Sequence, residues 1–203
     1  MLKTIDITNN KLHKTNEYDI FILMRIIAGK YKGKTIDAPK GDHARPTADM
    51  VRQALFTKLQ FFIGGKSVLD LFAGSGAIGI EAISRGATEV VFVDENPLSI
   101  SCIKKNLEKI TEKGLVLETN YAMAIKKLAG KKFDLIYIDP PYASNLYLPA
   151  LRLIFERELL APNGIVVCEH LASEEILPAK FFMFDQKKYG IKKLSYFSLE
   201  KKE

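Results

Sequence analysis

The sequence predicts an α/β protein, a doubly wound and mainly parallel seven-stranded sheet of Rossmann-like type with a small N-terminal hairpin-and-helix module. Three observations carry this. From residue 66 onward, short apolar runs alternate with stretches of helical length, the rhythm of buried parallel strands joined by crossover helices. The first run, Ser67-Val68-Leu69-Asp70-Leu71-Phe72, leads directly into Ala73-Gly74-Ser75-Gly76-Ala77-Ile78-Gly79. A later run, Phe133 to Ile138, ends in Asp139-Pro140-Pro141-Tyr142.

The elements follow in chain order. Residues 1–23 show no clear period, carry Asn9-Asn10 and scattered charges, and precede a second methionine, Met24. They are expected to form an extension without order. Arg25 to Gly29 and Tyr31 to Ile36 are expected to pair as a hairpin, with glycines at Gly29 and Gly33. Thr47 is a suitable cap for a helix reaching Phe62, with Val51, Leu55, Leu59 and Phe62 on one face. The sheet domain begins at residue 66. Its strands are expected at 67–72, 89–94, 115–119, 133–139 and 164–169, and its helices at 77–85, 97–112, 121–129 and 145–158. Pro162-Asn163-Gly164 is read as the turn into the fifth strand. Residues 181–188 and 191–199 are expected to form an antiparallel hairpin closing one edge.

At 203 residues the chain is long enough for one α/β domain and a small appendage. No apolar run is long enough to span a membrane, and Ile20 to Leu23 is too short and too polar in its flanks for a signal peptide. Cys102 and Cys168 are too few and too separated for a zinc site or a disulfide framework, and His13, His43 and His170 lack metal-ligand spacing. No metal is expected, and two thiols suit the reducing cytoplasm. Charge is concentrated: residues 25–66 hold nine basic and three acidic side chains, an excess equal to the whole chain's net charge of +6. A basic module joined to a neutral domain suits a polyanionic partner.

The glycine turn lies between strand and helix, the context that nucleotide-binding turns require. Asp70 stands just ahead of the glycines, where a carboxylate can hold the loop and meet an ammonium; a pyrophosphate would gain nothing from that charge. The second strand ends in Asp94, placed to accept from both ribose hydroxyls. These features favour S-adenosylmethionine over a nicotinamide dinucleotide. In Asp139-Pro140-Pro141-Tyr142 the prolines remove two N–H donors, so the turn offers carbonyls and a carboxylate, the acceptors a planar amino group needs. Tyr142 supplies a ring for stacking.

Arg25-Ile26-Ile27-Ala28-Gly29-Lys30-Tyr31-Lys32-Gly33-Lys34, Arg45-Pro46-Thr47 with Val51-Arg52 and Leu55-Phe56, the Asp70 to Gly76 stretch and Asp139 to Tyr142 follow one another in an order that resembles the bacterial 16S rRNA guanine-N2 methyltransferase family. The resemblance spans about residues 25 to 199. It implies a class I methyltransferase fold, S-adenosylmethionine as cofactor, and small-subunit rRNA as partner, within an assembling particle or free, for a monomer with no membrane attachment. On it, Asp139, Pro140 and Tyr142 are the catalytic candidates. Asp70, Phe72, Ala73, Gly74, Gly76, Gly79, Asp94, Asn120 and Ala122 are the cofactor candidates. Arg25, Lys30, Lys32, Lys34, Arg45 and Arg52 are the RNA candidates, the three lysines alternating on the expected hairpin so as to share one face. Arg45 has two readings, a phosphate clamp or a partner for Asp49. Tyr121 stands where the family carries an Asp, which leaves adenine to backbone groups, Asn120 or ring packing. DNA adenine-N6 methylation, protein glutamine methylation and RNA binding without catalysis are the competing readings.

Overall fold

The computed structural model describes residues 12–14, 20–39, 46–141 and 144–201. A three-stranded antiparallel sheet comes first, in the order β1-β2-β3, from β1 (Leu12–Lys14), β2 (Ile20–Arg25) and β3 (Thr35–Pro39). Strands thus occupy part of the segment expected to lack order. The polar character of residues 1–23 hides the Ile20-Phe21-Ile22-Leu23 run, which pairs with Ala38 and its neighbours.

After α1 (Pro46–Lys58) the main sheet begins. Its elements are β4 (Ser67–Asp70), α2 (Ala77–Ser84), β5 (Glu89–Asp94), α3 (Pro97–Ile110), β6 (Leu115–Glu118), α4 (Tyr121–Lys127), β7 (Phe133–Ile138), α5 (Tyr147–Glu156), β8 (Leu160–Leu171), β9 (Phe182–Tyr189) and β10 (Lys192–Ser198). The seven strands lie in the order β6-β5-β4-β7-β8-β10-β9. The first five pair in parallel, and β10 runs antiparallel to both its neighbours. The order reverses between β4 and β7, so a crevice opens at the carboxyl ends of these strands.

One core lies on each sheet face. Val68, Leu135, Val167 and Tyr196 pack with Val51, Leu55 and Phe56 of α1 and with Ile80 and Ile103 of α2 and α3. Leu69, Val91, Ile136 and Val166 pack with Ile125 of α4 and with Leu151 and Ile154 of α5. The expected turn at Pro162-Asn163-Gly164 lies inside β8 instead. Its partner strand goes from Phe133 to Leu135 while β8 goes from Leu160 to Ile165, so these residues bulge out of a continuous strand.

The expected N-terminal hairpin is present as the antiparallel pair β2 and β3, but its strands lie further from the turn than expected. Residues 26–34 form a turn-rich loop between β2 and β3, because their polar groups are claimed by α2. Glu81, only 1% exposed, accepts from the Ile27 and Ala28 amides at 2.7 and 3.0 Å and from Arg85 Nε at 2.7 Å. The Ser84 hydroxyl donates to the Ala28 carbonyl at 2.6 Å and accepts from the Tyr31 amide at 3.0 Å, while the Lys30 amide donates to the Ser84 carbonyl at 2.7 Å. Gly29 sits at φ +83°, and a Cβ there would lie 1.8 Å from the Ser84 carbonyl oxygen, so only glycine permits this approach. Glu81→Ala strands two partly buried amide donors and should lower the free energy of unfolding by about 2–5 kcal/mol. Urea denaturation measures this, and an unchanged midpoint would show that the contact contributes nothing.

Candidate active site

The crevice is a cavity of about 780 Å³ whose walls include Asp70, Phe72, Gly74, Asp94, Asn120 and Asp139. Asp70 ends β4 and is 1% exposed; its Oδ2 accepts from the Gly79 amide at 3.1 Å, one turn into α2. Asp94 ends β5 and ties the neighbouring loops together. Its Oδ2 accepts from the Gly74 amide and its Oδ1 from the Asn96 amide, both at 2.8 Å. A carboxylate has about four acceptor sites, so Asp94 keeps capacity for a ligand hydroxyl after both bonds.

The remaining cofactor candidates divide. Ala73 also lines the cavity. Asn120 caps α4 by accepting from the Met123 amide at 3.0 Å, and Ala122 is half-buried one residue into that helix. Gly76 and Gly79 serve packing: a Cβ on Gly79 would lie 2.2 Å from the Phe92 ring, and one on Gly76, at φ +78°, would lie 3.1 Å from Ile103. Tyr121 lines the cavity with its ring 5.6 Å from that of Phe72, inclined at 34°, giving two flat apolar faces beside Asn120.

Among the catalytic candidates, Asp139 and Pro140 line the cavity together with Pro141. Tyr142 lies outside the described residues, as does Arg45. Beside Asp139 is a cluster that sequence reasoning missed. Lys192 Nζ lies 3.0 Å from Glu169 Oε1 and 3.6 Å from Asp139 Oδ1. The Tyr137 hydroxyl donates to Glu169 Oε2, and the Tyr147 hydroxyl donates to the Glu169 carbonyl at 2.7 Å. Burial, then the charges of Glu169 and Asp139, push the Tyr137 hydroxyl well above its usual pKa. Burial and then Asp139 do the same to Tyr147 and to the Cys168 thiol. These hydroxyls are therefore hydrogen-bond donors and not bases at neutral pH.

Of the RNA candidates, Arg25, Lys30, Lys32 and Lys34 are exposed. Lys30 and Lys34 come together over the Tyr31 ring, at 4.9 and 5.1 Å from its centroid, through the loop and not through strand alternation. Lys30 also pairs with Glu112 at 2.9 Å. Arg52 is 4% exposed and lies inside, donating to the Arg25 carbonyl at 2.7 Å and to Asp49 at 3.0 Å. Burial pulls its guanidinium below the usual value. Arg52 thus joins α1 to the end of β2 at the cavity wall. Among the described residues no cluster of three His, Cys, Asp or Glu side chains forms a metal site, and no helix is long and apolar enough to cross a membrane.

The arrangement offers two carboxylates at the glycine loop, paired rings, and a carboxylate–proline turn facing the same space. Comparison with known proteins gives consistent findings. The YlbH protein of Bacillus subtilis is 37% identical over 151 residues, covering 72% of this chain and 82% of that protein. Ribosomal RNA small subunit methyltransferase D of Haemophilus influenzae is 32% identical over 173 residues, covering 83% and 90%. The solved structure of YhhF from Escherichia coli superposes with a TM-score of 0.77 at 25% identity, covering 86% of this chain and 97% of that one. The model of the family described as conserved hypothetical protein 95 matches residues 24–198, from the end of β2 through β10, and the chain belongs to that family.

Proposed function

We propose that this protein transfers a methyl group from S-adenosylmethionine to the exocyclic N2 of a guanine in small-subunit rRNA, acting as a monomer in the cytoplasm. The observation that carries the reading is the convergence of Asp70, Asp94 and Asp139-Pro140-Pro141 on one cavity. Its volume, about 780 Å³, suits a nucleoside-sized cofactor with a base beside it. The name of the Haemophilus influenzae relative, a small-subunit rRNA methyltransferase, supports the substrate class.

The donor set fits the cofactor. Asp70 sets negative charge at the glycine loop for an ammonium, Asp94 accepts from ribose hydroxyls, and Phe72, Tyr121 and Asn120 enclose an adenine. When bound, the cofactor supplies a methyl group on a sulfonium, already activated for displacement. The protein's task is then alignment. The guanine N2 lone pair is delocalised into the ring. Asp139 and the Pro140 carbonyl accept its two hydrogens and turn the lone pair out of conjugation towards the methyl carbon. Once N2 carries the methyl group it is cationic and acidic, and its surplus proton passes to the Asp139 carboxylate and on to water. Pro141 and Leu146 line the same cavity as Asp139. Tyr142 stacks on the extruded base, and Arg25, Lys30, Lys32 and Lys34 follow the RNA backbone outside the cavity.

Incubation of the protein and cofactor with undermodified small-subunit particles, followed by nucleoside mass spectrometry, should yield N2-methylguanosine. Methylated adenine, methylated protein, or no product would overturn the reading. Asp94→Ala should weaken cofactor binding in calorimetry by about 1.5–3 kcal/mol through loss of charged hydrogen bonds; unchanged affinity in a folded variant removes Asp94 from the site. Asp139→Ala should abolish single-turnover transfer with cofactor affinity nearly intact, and Asp139→Asn should be milder because its amide oxygen still accepts one bond. Replacing Lys30, Lys32 and Lys34 by Ala should lower RNA affinity and flatten its salt dependence without changing cofactor affinity. A full salt slope in the triple variant would show the loop to be a solvated face.

A further inference from the structure

We propose that Lys192 is a positioning residue for methyl transfer, holding Asp139 ionised and fixed at the mouth of the cavity while Glu169 fixes Lys192. The proposal rests on the role given to Asp139 above. Its basis is the ion triad: one ammonium, 4% exposed, lies 3.0 Å from Glu169 and 3.6 Å from Asp139. Glu169 is itself 8% exposed and is anchored by the Tyr137 hydroxyl, so the lysine is held from behind and cannot drift into solvent.

Sheet register explains how the triad forms. Asp70 pairs with Tyr137, and Tyr137 with Val167, so Tyr137, Asp139, Val167, Glu169 and Leu171 point to one face by two-residue alternation. Lys192 pairs with Leu171 on the antiparallel β10, which puts its side chain on that face diagonally next to Glu169. An antiparallel strand enters where its parallel neighbours end. The first residue of β10 therefore delivers a cation to the carboxyl ends of β7 and β8, where three carboxylates gather.

The ionisable groups around Asp139 are Asp70 on β4, Tyr137 on β7, Cys168 and Glu169 on β8, Tyr147 on α5, Arg52 on α1 and Lys192 on β10. His170 and Glu174 lie beside Tyr147. Asp139 has the carboxylates of Glu169 and Asp70 for neighbours around Tyr137. Lys192 makes an ion pair with Asp139, so its removal raises the pH at which Asp139 ionises. In the reaction the N2–methyl bond forms as the methyl–sulfur bond breaks, leaving a neutral thioether and a cationic N2. That nitrogen then returns to neutrality by giving one proton to the ionised Asp139. A carboxyl already protonated keeps one accepting oxygen but cannot take the proton.

The test uses Lys192→Met, Lys192→Arg and the double variant Lys192→Met with Glu169→Gln, which removes both buried charges together should the single change prevent folding. Two readouts are taken on the full chain: the pH profile of single-turnover methylation of undermodified small-subunit particles, and the carbon NMR titration of Asp139, assigned with Asp139→Asn. Loss of Lys192 should slow transfer by about 10- to 100-fold on the acid limb and less near neutral pH, with cofactor affinity unchanged. The acid limb and the Asp139 titration should both move up by about one to two pH units. Lys192→Arg should restore most of the rate. Normal transfer in a folded variant, or an Asp139 titration that stays in place, would overturn the proposal. Absence of methylation by the unaltered protein would instead overturn the substrate reading, and the titration would still decide whether Lys192 holds Asp139.

Discussion

The site depends on α2 being held by buried carboxylates near both of its ends. Asp70 accepts from the Gly79 amide in its first turn, and Glu81 accepts from two amides of the N-terminal loop further along. A buried carboxylate is tolerated only where donors surround it, so neither contact can loosen without exposing an uncompensated charge. The first contact shapes the glycine turn that faces the cavity. The second fixes the basic loop to the same short helix. The glycine turn and the exposed lysines of the N-terminal loop are thereby mounted on one short helix, and the distance between them is set by helix geometry and not by a linker.

A second constraint is parity along the strands. Asp70, Asp139, Glu169 and Lys192 reach one end of one sheet face because strand side chains alternate and because the register between β4, β7, β8 and β10 is fixed. A slip of one residue in β10 would turn Lys192 to the opposite face and leave Glu169 and Asp139 facing each other in a low-dielectric setting. The antiparallel end of the sheet is therefore part of the site's electrostatics as well as a covering for its edge.

Much of this was legible in the sequence. The runs at 89–94 and 133–139 are largely buried on both faces and read as strands without help from context, while 115–119 is a half-exposed edge strand. Asp70, Asp94 and Asp139 were found because each directly follows such a run. What was hidden depends on partners distant in the chain. Gly76 and Gly79 look like ligand-approach glycines, but their need for glycine comes from Phe92 and Ile103. Residues 26–34 look like hairpin strands, but Glu81 and Ser84 claim their backbone and make them the loop of the β2–β3 hairpin. Arg52 looks like a surface cation, and only its fold contacts, the bond to the Arg25 carbonyl among them, reveal its burial. Lys192 and Glu169 carry no local signature, since their meeting requires the β8–β10 register.

A crystal structure of the protein with S-adenosylhomocysteine and a guanosine nucleotide tests the site most directly. The ribose should lie on Asp94, the adenine between Phe72 and Tyr121, and the guanine N2 within hydrogen-bond reach, about 2.7–3.2 Å, of both an Asp139 oxygen and the Pro140 carbonyl. A guanine whose N2 points away from Asp139, or a cofactor bound away from the glycine turn, would contradict this arrangement.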